Sequence, residues 1–141
     1  MPRPKADQPP PLSDPAWAAA FDEIRTAAAA LDLPGVEEGT WFGTPALKVA
    51  GKGFLRLRAP DILVLLCPHE EKEMLLAAAP EIYFETDHYK GWPALLARLP
   101  KLTPDELRHR IERAWRHKAP KTLVRERDGA PSGPFKAKRR S

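Results

Sequence analysis

Cysteine is almost missing from this chain. Cys67 stands alone among 141 residues, so no disulfide can close within it. A single thiol suits a reducing compartment. Long apolar runs are missing as well. No stretch reaches the ~18 residues that a bilayer-spanning helix needs, and the N-terminus lacks the apolar core of a signal peptide. The expectation is a cytoplasmic protein with no membrane partner. Metal and phosphate motifs are equally scarce. His69-Glu70 opens like a two-histidine zinc helix, but Glu73 stands where the second histidine belongs. Four histidines and one cysteine show no metal-ligand spacing, and there is no glycine-rich phosphate loop and no G-x-S-x-G. The expectation is no metal, no cofactor and no catalytic group, hence no enzyme.

Proline, by contrast, is plentiful, and its placement divides the chain. Of 17 prolines, six lie in residues 1–15 and three in the last 23. Residues 1–13 read as a disordered Pro-rich arm, 14–120 as one folded domain and 121–141 as a disordered basic tail. Charge follows the same division. Residues 15–118 carry 14 basic and 15 acidic groups, whereas 119–141 carry seven basic and two acidic. The overall net charge of +4 therefore belongs to the tail, with Lys136, Lys138, Arg139 and Arg140 clustered at its end. A nucleic-acid argument must rest on a local patch, not on overall charge.

Within the domain, Asp14-Pro15 reads as a capped helix start. Trp17, Phe21, Ile24, Ala28 and Leu31 then form one apolar stripe. Strand-like segments follow: Thr40–Phe42, Ala46–Ala50, Phe54–Arg58 and Ile62–Leu66. Turns are expected at Gly43-Thr44-Pro45, Gly51-Lys52-Gly53 and Ala59-Pro60-Asp61. A second helix begins near Pro68, with Glu70, Glu71 and Glu73 in its opening turns and Met74, Leu75 and Ala78 on its apolar side. Ile82–Thr86 and Pro93–Leu99 are further strands. Thr103-Pro104-Asp105-Glu106 is a capping box that starts a last helix, with Leu107, Ile111, Ala114 and Trp115 inward. The expected fold class is α+β, a two-layer sandwich of an antiparallel sheet with helices on one face.

Leu33-Pro34-Gly35-Val36-Glu37-Glu38 followed by Trp41-Phe42-Gly43-Thr44-Pro45 resembles the opening of the MmcQ/YjbR family. Lys48-Val49 with Lys52-Gly53-Phe54 continues the likeness. The run from Tyr83 through Asp87-His88-Tyr89-Lys90-Gly91-Trp92-Pro93 is similar to the family's middle signature. Arg98-Leu99, Leu107 through Ala114-Trp115 and Ala119-Pro120-Lys121 are similar to its end. The resemblance covers about residues 16–123 and implies a two-layer fold related to CyaY-like or secretion-chaperone-like topologies. It also implies DNA binding, the label commonly given to the family, and offers no catalytic motif.

Three groups of residues are candidates for function. Strand alternation places Phe54, Arg56 and Arg58 on one face and Leu55 and Leu57 on the other. The same rule separates Lys48 from Leu47 and Val49, and puts Arg98 with Ala94 and Leu96. With Lys52, these cations can converge on the face that the helices leave open, beside Trp41 or Trp92. Cations with aromatics suit phosphates and unstacked bases; the plainer account is the polar outer face that any such sheet needs. On the last helix, His109, Arg110, Arg113, Arg116 and His117 fall opposite Leu107, Ile111 and Trp115, a one-sign face able to dock on phosphates. The plainer account is a solvated helix with cations near its C-terminus. In the connector from Asp87 to Trp92, His88 beside Asp87 has the composition of an acid–base pair, and Lys90 and Trp92 that of a contact loop. The plainer account is a turn closing the core edge.

The resulting expectation is a non-enzymatic DNA-binding domain making mainly backbone contacts, with weak sequence preference. Lys48, Lys52, Arg56, Arg58, Lys90 and Arg98 would meet phosphates, Trp92 would stack, and Arg110 and Arg113 would add a second surface. The alternative is an adaptor binding a protein or a small ligand.

Overall fold

The computed structural model describes residues 13–129. The arm before Ser13 and the basic cluster from Lys136 to Arg140 lie outside them. Helix α1 spans Pro15–Leu31, and the Asp14 side chain accepts a hydrogen bond from the Ala16 amide. Strands β1 (Val36–Trp41), β2 (Thr44–Val49), β3 (Lys52–Ala59) and β4 (Ile62–Leu66) follow, then α2 (His69–Ala78), β5 (Tyr83–Phe84), β6 (Ala94–Arg98), α3 (Pro104–Lys118) and α4 (Lys121–Gly129). All six strands join one antiparallel sheet in the order β1-β2-β3-β4-β6-β5. The fold is α+β in two layers.

Alternation along the strands makes two apolar faces. Leu47 and Val49, Leu55 and Leu57, Leu63 and Leu65, and Leu95 and Ala97 point toward the helices. They pack with Phe21 and Ile24 of α1, Leu75 of α2, and Leu107, Ile111 and Trp115 of α3. The opposite face holds a smaller cluster of Val64, Leu66, Ala94 and Leu96, closed by Tyr89 from the connector between β5 and β6. The stripe read on α1 and the inward residues of α3 are found as expected.

Several local expectations are corrected. The turn between β1 and β2 is Phe42-Gly43, with positive φ at both (55° and 77°), so Thr44 and Pro45 belong to β2. The next turn is Ala50-Gly51, again with positive φ at both, and Lys52 and Gly53 start β3. Two-residue loops of this hand match the twist of paired strands. Phe54 does not share a face with Arg56. A bulge pairs Leu47 with Leu55 and Lys48 with Gly53, and Phe54 turns into the main core beside Leu55. Met74 is exposed, leaving Leu75 as the buried apolar residue of α2. The expected unstructured tail does not start at 121. Helix α4 docks there through Leu123 and Val124, and Arg127 donates to the Leu31 carbonyl at 2.8 Å.

Candidate functional site

The face away from the helices can be built from the strand registers. Ala46 pairs with Arg56, Arg56 with Val64, Val64 with Leu96, and Leu96 with Phe84, giving one row across the sheet. Arg56 is the single charge in that row. It is 8% exposed, and its guanidinium donates to the Thr44 hydroxyl at 3.0 Å and the Tyr89 hydroxyl at 2.7 Å. The Phe42 ring lies 5.1 Å above it. No carboxylate lies within ion-pair distance of Arg56 among the described residues.

Around Arg56 lies a narrow cavity of about 50 Å³, walled by Trp41, Phe42, Val64, Leu66, His88, Tyr89, Trp92 and Pro93. Its rim is aromatic and open to solvent: Phe42 is 60% and Trp92 53% exposed. Trp41 stacks on Phe42 at 5.6 Å, and His88 on Trp92 at 6.1 Å. Phe42 sits where neither conformational preference nor burial favours it. Left-handed φ costs a side-chain-bearing residue about 1–2 kcal/mol, and bulky residues adopt it rarely. Such outliers gather at binding sites, where the surrounding structure imposes them.

The connector that carries the rim is anchored by Lys72 of α2, a residue that sequence reading passed over. Its ammonium is buried and donates to the carbonyls of Tyr89 at 2.9 Å and Trp92 at 2.8 Å, and it pairs with Glu85 at 2.8 Å. All three of its donors are thereby used. Gly53 plays the complementary part below Trp41: a Cβ there would stand 2.6 Å from the indole ring.

The nine expected contact residues separate into groups. Arg98 lies on the cleft face, its guanidinium 4.3 Å above Phe84, and is exposed. Lys48 shares that face and crosses β1 above Gly39. Lys90 and Trp92 stand exposed on the rim connector. Lys52 is exposed at the Ala50-Gly51 hairpin, and Arg58 is the unpaired residue of a second bulge, also exposed. Arg56 is buried, so its expected role as an open phosphate contact is corrected: it is the floor of a cleft.

Arg110 and Arg113 are not brought to the cleft. Arg110 is buried against Glu71 at 2.7 Å and lies 3.3 Å from Glu106, and Arg113 reaches the other Glu71 oxygen at 3.1 Å. Arg116 is held by Glu112 and Asp128. The one-sign basic face expected on α3 is therefore corrected to an ion-pair network, because acids from α2 and α4 arrive to neutralise it. Hydrogen bonding to Arg116 holds the Asp128 carboxyl below its usual range. Asp87 and His88 are both exposed in one short turn, and no hydrogen bond joins them. Among the described residues, no cluster of His, Cys, Asp or Glu could hold a metal ion, and no helix is long and apolar enough to cross a membrane.

The family model described as YjbR matches residues 31–117, which contain the whole sheet, the Lys72 anchor and the aromatic cleft. The chain belongs to the YjbR family. That match leaves out most of α1 and all of α4. An uncharacterized protein of Mycobacterium bovis and two from strains of Mycobacterium tuberculosis are each 43% identical over 53 residues, 38% of this chain. The chain spans about two fifths of the length of these curated relatives, 41% of each. No solved structure matches this chain.

Proposed function

We propose that this YjbR domain is a non-enzymatic nucleic-acid-binding module that takes unpaired bases on its open sheet face. The observation that supports this most is the pair of solvent-exposed aromatics, Phe42 and Trp92, flanking a cleft with a cationic floor. Each base has a π-face, so an exposed ring binds single strands with little regard to sequence, worth about 1–3 kcal/mol per base. Lys48, Lys90 and Arg98 stand on or beside the same face and supply phosphate contacts. A duplex hides its bases, so this reading favours single strands over duplexes and adds base stacking to the backbone contacts expected from sequence.

Fluorescence anisotropy with labelled single-stranded and duplex DNA across a salt series tests it. The expected result is tighter binding of the single strand, with affinity falling as salt rises. Phe42→Ala and Trp92→Ala should each weaken the single strand roughly five- to hundredfold. A protein ligand is the second reading, supported by the same exposed aromatics, since such residues anchor protein interfaces. Equal, negligible affinity for both nucleic acids would remove the first reading and leave the second.

A further inference from the structure

Arg56 poses a problem that stacking alone does not answer. A buried charge is costly unless it is paired, and removal from water is tolerated when an opposite charge or strong acceptors replace the lost hydration. Here two neutral hydroxyls, Thr44 and Tyr89, use two of the five guanidinium N–H groups. No carboxylate arrives from any neighbouring element among the described residues. The guanidinium itself lines a narrow cavity whose other walls are mostly aromatic and apolar side chains.

We infer that this cleft selects guanine over adenine, receiving the O6/N7 edge of the base on the guanidinium of Arg56 while Phe42 and Trp92 hold its ring. The inference rests on the nucleic-acid reading above and adds a preference to it. Three observations converge. The slot is narrow and mainly apolar, which suits an aromatic ring and not a hydrated phosphate. Its volume, about 50 Å³, admits the edge of a base and leaves the rest against the exposed rim. The fork offers paired donors, and of the two purines guanine alone presents two adjacent acceptors, O6 and N7, on one edge. Adenine places an N6 donor where O6 would be, so a donor would face a donor. Tyr89 and Thr44 fix the fork in place and act as positioning residues.

The test uses the full chain and short oligothymidylates with one central guanine, inosine, 7-deazaguanine or adenine, read by anisotropy at fixed salt. Guanine and inosine both keep O6 and N7 and should bind roughly five- to hundredfold tighter than adenine, with 7-deazaguanine falling between or matching adenine. Phe42→Ala should weaken all four while keeping their ratio. Arg56→Met should erase the ratio; if that variant does not fold, the four wild-type affinities already decide. Equal binding of the four probes would overturn the guanine preference and leave single-strand binding intact. Failure of every probe to bind would overturn both.

Discussion

Arg110 and Glu71 are each less than a tenth exposed and hold one another at 2.7 Å, although they lie on different helices. Removing one member strands the other charge away from water, a loss of roughly 3–5 kcal/mol. Glu71→Gln should therefore lower stability by that order in urea unfolding, and the double change Glu71→Gln with Arg110→Met should recover part of it. Cys67 lies beneath this network. Burial pushes its thiol up to about 11, so at pH 8 it stays protonated and covered. A thiol reagent should leave Cys67 unmodified in the native protein and react with one equivalent once denaturant is added. Cys67 directly follows the apolar run Ile62–Leu66, which makes its burial legible in the sequence. The neighbouring charges were not legible, because they come from α2 and α3.

At the scale of elements, two contacts decide more than length would suggest. The first is Gly53 under Trp41. Gly53→Ala drives a methyl group into the indole ring, which must tilt away. The expected result is a loss of about 1–3 kcal/mol together with a shift in tryptophan fluorescence, as one wall of the cleft moves. The second is α4. Its Leu123 lies against Gly35, its Arg127 caps the carbonyl end of α1, and its Asp128 grips Arg116. Ending the chain after Pro120 should cost about 2 kcal/mol from lost apolar burial relative to ending it after Gly129, and equal stability of the two would mean that α4 contributes nothing. Thermal unfolding of the two truncated chains separates these outcomes. Composition alone made residues 121–141 look like one polar tail. The short helix inside it hides because only Leu123 and Val124 are apolar, too few for a periodic signal to stand out.

For the whole molecule, stability depends on pH through His117. Burial, with help from Lys118 and His69 and against Glu71, holds its imidazole below the ordinary value of 6.5. The folded state therefore favours the neutral ring. That contribution is whole above pH 6.5 and is lost as pH falls toward the lowered value, because the unfolded chain takes up the proton first. The melting temperature should drop on moving below pH 6.5, and His117→Gln should flatten that part of the profile.

The sequence by itself determined the element order as far as α3, the faces of α1 and α3 and the antiparallel class of the sheet. Each of these depends on neighbours in the chain: caps, turn residues and the two periodicities of apolar side chains. Alternation also brought forward Arg98 and Lys48 as cations on one face, since it needs no knowledge of partners, and the composition of the connector brought forward Lys90 and Trp92. Only the tertiary structure decided which cations are free and which are bound. Arg56 became a cleft floor because Thr44 lies across a hairpin and Tyr89 lies 33 residues away. Arg110 became a buried ion pair because Glu71 approaches from 39 residues away. Phe42 was read only as a strand residue and Lys72 went unremarked, because one gains its place from a left-handed turn and the other from carbonyls in a distant connector. A charge is read from the chain as a letter, but its solvation and counter-charge are set by segments that meet only when the sheet closes.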